Sequence, residues 1–163
     1  MRRLAFAALL FAAACPSPDR ELSRAVRAYD DALVKAYGAS DPAGMSAVAA
    51  RKEAERVRVL IDLKRNARLV LESRLESFEV TRADASGETA TVETRERWRY
   101  HDRPLDPGTR PGTEFVSLMT MRYALVREDG RWKVASVATL TNAYLEPAGA
   151  KPPGAAAPAP RAP

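Results

Sequence analysis

The feature that most constrains this fold is a change in hydrophobic period near residue 67. Before that point, apolar residues recur every three or four positions, which is typical of the buried face of a helix. After it, apolar and polar residues alternate, and β-branched and aromatic residues become frequent, which is typical of strands. Because the helical part precedes the strands and does not alternate with them, the sequence predicts an α+β fold.

The first helix is predicted from Asp19 to Tyr37. Gly38 follows it and would serve as its C-terminal cap, since glycine adopts the left-handed conformation at little cost. The apolar residues of the predicted buried face follow the spacing of a helix: Leu22, Val26, Tyr29, Leu33 and Ala36.

The second helix is predicted from Asp41 to about Asn66. Asp41 suits the N-cap because its side chain can accept a hydrogen bond from a free backbone N–H group. Pro42 suits the first helical position because the N–H that it lacks would have no partner there. The solvent-facing side would carry five charged residues: Arg51, Glu55, Arg58, Asp62 and Arg65.

Four strands are predicted to follow as an antiparallel meander. The segments RLESFEVTRA and ETATVETRERWRY flank the turn signal DASG, so they should form one long hairpin. The segments EFVSLMTMRYALVRE and KVASVATLTNAYL should form another around the tight turn at Asp129 and Gly130. The N-terminal helices would pack on this curved four-stranded antiparallel sheet in one domain, residues 21–146.

The order of two helices and long hairpins, closing with EDGRWKVASV, resembles the nuclear-transport-factor-two-like superfamily. This is the cone-like, cystatin-like α+β fold that SnoaL-like proteins and steroid isomerases share. The segment GETATVETRERW likewise resembles its middle strand. The resemblance covers roughly residues 21–145. It implies a cone whose interior, in those members that are enzymes, contains an Asp, a His or a Tyr.

The second strand carries an acidic residue on its apolar face. Alternation places Glu96 on the same side as Trp98 and Tyr100. A buried carboxylate is costly unless it is paired, so Glu96 either forms a salt bridge with an arginine, lies at the open rim, or contacts a ligand. The predicted ligand-binding residues are Glu96, Trp98 and Tyr100, together with Met121 and Tyr123 of the third strand.

No catalytic residue, metal site or cofactor is predicted. The single histidine, His101, falls on the outer face of the second strand with Arg95, Arg97 and Arg99, which argues against a role as catalytic base. One histidine and one cysteine are too few for the usual zinc clusters. The sequence also has no glycine-rich phosphate loop after a strand and no serine in a nucleophile elbow.

The first 14 residues have the pattern of a secretory signal peptide: Arg2 and Arg3 precede an apolar run too short to cross a membrane. The three alanines before Cys15 resemble the lipobox of bacterial lipoproteins, whose cysteine receives lipid and becomes the new N-terminus. The same alanines also satisfy ordinary signal cleavage, so plain secretion is the alternative. Residues 15–20 would form the lipidated N-terminus and tether. The resemblance thus implies a lipid-anchored protein on the periplasmic side of a bacterial cell envelope.

The charge of the domain does not favour a nucleic-acid partner. Four of the 26 basic residues lie at the two ends of the chain, so residues 19–146 contain 22 basic residues against 21 acidic ones. A nucleic-acid binder usually has a basic face or stripe, so none is expected as a partner. The tail from residue 147 to 163 contains only Pro, Ala, Gly and two cations, and is predicted to be disordered.

Two functions are therefore considered. The first is a non-catalytic binding or interaction module that contacts the membrane through lipid on Cys15, and contacts an envelope protein or a second copy through the sheet face. The alternative is a small-ligand-binding protein, or an isomerase-like or dehydratase-like enzyme, that uses a cavity inside the cone.

Overall fold

The structure is a computed structural model that describes residues 18–146 of the 163-residue chain. It has helix α1 (Pro18–Ala39), a 3-10 helix (Ala43–Ala47), helix α2 (Arg51–Asn66) and strands β1 (Leu69–Ser86), β2 (Thr89–Pro104), β3 (Phe115–Glu128) and β4 (Arg131–Glu146). The strands form one sheet in the order β1-β2-β3-β4, and all neighbours are antiparallel. The predicted α+β fold, with helices packed on a curved four-stranded sheet, is confirmed.

The predicted signal peptide, Cys15 and the proline-rich tail lie outside the described residues. Within residues 18–146, neither α-helix is long and apolar enough to cross a membrane.

The hydrophobic core lies between the helices and the concave face of the sheet. Val26 of α1, Val57 and Ile61 of α2, and Val134 of β4 are at most 1% exposed. Every second residue of β2 is buried along the same face: Ala90, Val92, Thr94, Glu96 and Trp98. The inward face predicted for this strand is therefore confirmed.

β-Bulges bend the two outer strands of the sheet. In β1 the register against β2 shifts between Leu75 and Ser77 and again between Val80 and Arg82. Because of the first shift, Leu75 pairs with Trp98 while Phe78 pairs with Glu96, so both β1 side chains fall on the concave face. Three more shifts lie between β3 and β4. Such bulges increase local twist, and they let this sheet curve around the helices.

The predicted end of the first helix is wrong by two residues. Gly38 is helical and α1 continues to Ala39, so Gly38 is not the cap. Ser40 takes the left-handed conformation, with φ of 52°, and its N–H donates to the carbonyl of Tyr37 at 3.1 Å. The chain turns here because Asp41 N–H also bonds back, to Ala36 O at 2.9 Å.

The predicted second helix is split in two. Asp41 Oδ1 accepts a hydrogen bond from Ala43 N–H at 2.9 Å, but the turn that it begins is only the 3-10 helix. The backbone then pairs with β4: Val134 N–H donates to Val48 O at 2.9 Å, and Ala50 N–H donates to Val134 O at 2.8 Å. These sheet-type bonds interrupt the helix, and α2 begins only at Arg51.

The arginines on the outer face of β2 are paired with acids of β1. At the first bulge, Glu76 accepts hydrogen bonds from Arg99 Nε at 2.6 Å, Arg97 Nε at 2.7 Å and Arg74 at 3.1 Å. The bonds from Arg99 and Arg97 lower the pKa of Glu76 to about 2. The acids of β1 thus neutralise the arginines of β2 across the outer face of the sheet, so this face carries little net charge.

Candidate functional site

A cavity of about 280 Å³ lies between α1, the N-terminal part of α2 and the concave face of the sheet. The structure brings all five predicted ligand-binding residues to its wall: Glu96, Trp98, Tyr100, Met121 and Tyr123. Apolar side chains, among them Leu33, Leu71 and Met119, complete much of the lining. Larger clefts, of about 460 to 510 Å³, lie on outer surfaces of the helices and are lined mostly by exposed or half-buried residues. The inner cavity is therefore the better candidate for a site.

Glu96 is fully buried at the wall of the cavity and is held by hydrogen bonds rather than by a salt bridge. Its Oε1 accepts from Thr94 Oγ1 at 2.6 Å and from the Tyr123 hydroxyl at 2.8 Å. Its Oε2 accepts from Trp98 Nε1 at 2.6 Å. Neither of the simpler explanations, an arginine partner or a position at the open rim, applies within the described structure. Both carboxylate oxygens are thus already used by neighbouring strand residues.

A second buried carboxyl group, that of Asp30, lies beside the first. Asp30 comes from α1, is 1% exposed and lines the same cavity. The Tyr123 hydroxyl is 3.1 Å from Asp30 Oδ1 as well as 2.8 Å from Glu96 Oε1. A hydroxyl carries one hydrogen, so it donates to only one of the two at a time. The other contact becomes a hydrogen bond only when a carboxyl group carries a proton.

The surroundings keep that proton on Asp30. Desolvation, and then the negative charge of Glu96, raise the pKa of Asp30 from 3.8 to about 8. Desolvation and the two carboxyl groups likewise raise the pKa of Tyr123, so its hydroxyl stays protonated. A carboxyl group with a pKa near neutrality in an apolar cavity can accept or donate a proton under physiological conditions. It can also bind a ligand in either its neutral or its charged form.

A paired acid and base from α2 lie next to this network. Glu53 is 2% exposed and accepts from the hydroxyl of Tyr29. Arg56, which lines the cavity, donates to Glu53 through Nε at 2.8 Å and through a terminal nitrogen at 2.6 Å. Burial and this carboxylate raise the pKa of Tyr29. Because two nitrogens of the Arg56 guanidinium donate to Glu53, the carboxylate compensates the positive charge of Arg56.

Sequence reasoning missed Asp30. The signal was present, because Asp30 follows Val26 by one helical turn and precedes Leu33 by another, on the buried face of α1. An acidic residue on a buried apolar face is unexpected, and the same observation identified Glu96 on β2. By contrast, His101 lies on the outer face as predicted, with Nε2 3.2 Å from Glu72. Within residues 18–146, no cluster of three or more His, Cys, Asp or Glu could hold a metal ion.

The pKa of Asp30 predicts how stability depends on pH. The unfolded chain loses this proton above about pH 4, while the folded protein retains it up to about pH 8. The free energy of unfolding should therefore fall between these values, by up to about 1.4 kcal/mol per pH unit. Asp30→Asn removes the titrating group, so its stability relative to the original protein should rise steadily from pH 5 to pH 8 in urea unfolding.

The neighbouring residue provides the matched control for this measurement. Asp31 lies on α1 with its side chain 56% exposed and forms an ion pair with Arg27 at 3.5 Å. Asp31→Asn should still lose stability between pH 5 and pH 8, because Asp30 continues to titrate and the Asp31 charge is the smallest of the causes that raise the pKa of Asp30. Parallel curves for Asp30→Asn and the original protein would show that Asp30 does not hold its proton in the folded state.

Comparison with known proteins identifies a shared fold. No protein-family model and no curated protein sequence matches the chain. Among solved structures it resembles the "intermembrane space region of chloroplast protein ARC6", with a TM-score of 0.69 and 17% identity over 77% of this chain and 98% of that chain. It also resembles a "putative aromatic ring hydroxylase" from Novosphingobium aromaticivorans, with a TM-score of 0.54 and 16% identity over 81% of this chain and 94% of that chain.

A third similar structure is described as a "putative dehydratase from the NTF2-like family" from Streptomyces avermitilis. Its TM-score is 0.49, with 15% identity over 74% of this chain and 95% of that chain. At such identities a likeness concerns the fold and not the activity. The likeness to the ARC6 region and to the ring hydroxylase therefore shows a shared fold alone, an α+β domain in which two helices pack on a curved four-stranded antiparallel sheet.

Proposed function

We propose that this chain is a binding protein of the cell envelope whose cone-shaped domain holds a small, largely apolar ligand. The observation that carries the proposal is the pair of buried carboxyl groups, Asp30 and Glu96, at the wall of an otherwise mostly apolar cavity. Burying two acids costs stability, and apolar residues of similar volume would fill a purely structural core at lower cost. A few polar groups in an apolar cavity are the usual composition of a ligand site.

The size and walls of the cavity support the same function. Its volume of about 280 Å³ is close to the lower end, about 300 Å³, of ordinary small-molecule sites. Met119 and Met121 line it, and methionine side chains adapt their shape to a ligand. Tyr100 and Trp98 add flat aromatic surfaces against which an apolar or aromatic ligand can pack.

A larger side chain inside the cavity should weaken the binding of a small apolar ligand. Met119 faces inward beside Glu96, whereas Leu118, one residue earlier on β3, pairs with Arg97 on the outer face. Met119→Trp should weaken the binding of an uncharged aromatic probe, 2-phenylethanol, at least tenfold, because the larger side chain occupies the space. Saturation-transfer NMR would measure the binding.

Leu118→Trp is the matched control, since it adds the same side chain to the opposite face of the same strand. It should bind the probe as well as the original protein does. Equal binding by the two variants would place the site elsewhere, and no probe binding by the original protein would contradict the proposal.

We further propose that lipid on Cys15 holds the domain at the envelope, on the periplasmic side. The signal-like first 14 residues and the lack of a second cysteine support this. The ARC6 structure, a domain of the same fold, is named for an intermembrane space. Cells grown with an alkyne-bearing fatty acid should yield labelled protein, and Cys15→Ser should yield none. An unlabelled but processed protein would favour plain secretion.

A second candidate function, self-association through the sheet face, is favoured by one observation. On β1 and β2 the outer face carries paired acids and arginines, whereas the other half, on β3 and β4 away from their hairpin, is uncharged apart from Arg122, which is paired with Glu93. The uncharged half includes Leu118, Thr120, Ala138, Thr141 and Ala143. A second copy could cover this half without leaving a charge unpaired.

A charge placed on that half should prevent association. Thr141 is exposed on β4, so Thr141→Lys should shift a dimer to the monomer in sedimentation equilibrium, because the interface would bury a lysine of each copy without a partner. Ser86→Lys adds the same charge at the exposed end of β1 and should have no effect. A protein that is monomeric at all concentrations tested would remove this candidate.

A further inference from the structure

We propose that the ligand of the cavity is a small organic cation, a protonated amine on an apolar body, whose ammonium group binds to the free carboxyl oxygen of Asp30. This inference rests on the proposed function, since it names the chemical class that the same cavity would take. Three properties of the site favour such a ligand: an unused acceptor, an excess of acidic groups, and aromatic walls.

The unused acceptor is Asp30 Oδ2. It is buried and has no hydrogen-bond partner, and among the described residues the only other buried side-chain atom in this situation is Arg127 Nε. An unpaired buried acceptor destabilises the protein, and a ligand that donates a hydrogen bond to it would remove that cost. Glu96 cannot serve in the same way, because Thr94, Trp98 and Tyr123 already donate to its two oxygens.

The charge balance of the lining favours a positive ligand. Apart from tyrosines, its ionisable residues are Asp30, Glu96 and Arg56. Arg56 donates to Glu53 through Nε and Nη2, so its charge is already paired with a carboxylate. An anionic ligand would therefore meet two carboxyl groups and no free cation, whereas an ammonium group would compensate them.

The walls suit a cation with an apolar body. Tyr37, Trp98 and Tyr100 present aromatic rings to the cavity, and aromatic faces attract cations. Leu33 and Leu71 provide apolar contact for the rest of the ligand. The volume of about 280 Å³ exceeds the ~150 Å³ that accommodates a benzene molecule, so an aromatic ring with a short aminoalkyl chain would fit.

Binding of such a cation should release a proton. At pH 7 Asp30 is mostly protonated, so when the ammonium group arrives the carboxyl proton leaves to the buffer and a charged pair remains. The charged and titratable groups around Asp30 are Arg27 and Asp31 on α1, Glu53 and Arg56 on α2, Glu96 on β2 and Tyr123 on β3. Of these, Glu96 and, to a smaller extent, Asp31 oppose loss of the proton, whereas Tyr123 and Arg27 favour it.

The test compares three probes of nearly the same shape: 2-phenylethylamine, 2-phenylethanol and phenylacetate, which are cationic, neutral and anionic at pH 7. Isothermal calorimetry of residues 15–163 should show the amine binding at least tenfold more tightly than the alcohol, and no measurable binding of phenylacetate. The amine's heat of binding should differ between phosphate and Tris buffers by the heat of transferring up to about one proton, because Asp30 releases its proton.

Two variants assign the effect to Asp30. Asp30→Asn keeps the shape of the protonated carboxyl but cannot become charged, so it should lower the affinity of the amine to that of the alcohol and abolish the buffer dependence. Its affinity for the alcohol should change less than twofold. Asp31→Asn, the exposed neighbour, should bind all three probes as the original protein does.

The outcomes separate this inference from the proposed function. If amine and alcohol bind equally, the cavity is a ligand site and the cationic class is wrong. If phenylacetate binds most tightly, the charge argument is wrong. If no probe binds, both the inference and the proposed ligand site fail. If Asp31→Asn lowers the affinity for the amine as much as Asp30→Asn does, the effect arises from the general charge of α1 and not from contact with Asp30.

Discussion

The Tyr123 hydroxyl, shared between Asp30 and Glu96, is the contact on which the interior of this domain depends. It joins α1 to the middle of the sheet, because Asp30 belongs to the helix and the other two residues belong to β3 and β2. Without a bound cation, two charged carboxyl groups beside one hydroxyl in a buried site would repel each other strongly. The retained proton on Asp30 is therefore part of the fold as well as of the candidate site.

The cavity follows from the curvature of the sheet over α1. Bulges in β1 and β4 bend the sheet away from a flat shape, and the inward side chains of β2 and β3 then face α1 across a gap. Near the turn between β3 and β4 the gap is closed by core residues such as Val92, Leu125 and Val134. Toward the other end of the strands it widens, where Leu71, Tyr100 and Met119 line the cavity. The same curvature thus produces a packed core and a pocket in one domain.

The two carboxyl groups serve different purposes. Glu96 is saturated by donors, and it orients Trp98 and Tyr123 at the cavity wall. Asp30 has one oxygen near Tyr123 and one without a partner, so it is the group that can respond to a ligand.

Much of the fold could be predicted from the sequence, because helix and strand periods are local properties of the chain. The four strands, their antiparallel hairpins and the inward face of β2 followed from alternation and from turn residues such as Asp129-Gly130. The predicted helix boundaries were wrong where the helical preference of a segment competed with its contacts to the rest of the fold. Pairing of residues 48–50 with Val134 interrupted a segment that the sequence alone would make helical.

By itself, the sequence determined the α+β class, the order of the elements and the presence of an acidic residue, Glu96, on an apolar strand face. Only the tertiary structure decided that Asp30 lies beside it, that no arginine of residues 18–146 forms an ion pair with either carboxyl group, and that Tyr123 joins them. The reason is physical: side-chain periodicity shows which face a residue occupies, but the partner that a buried charge meets depends on how bulged strands and a helix pack together.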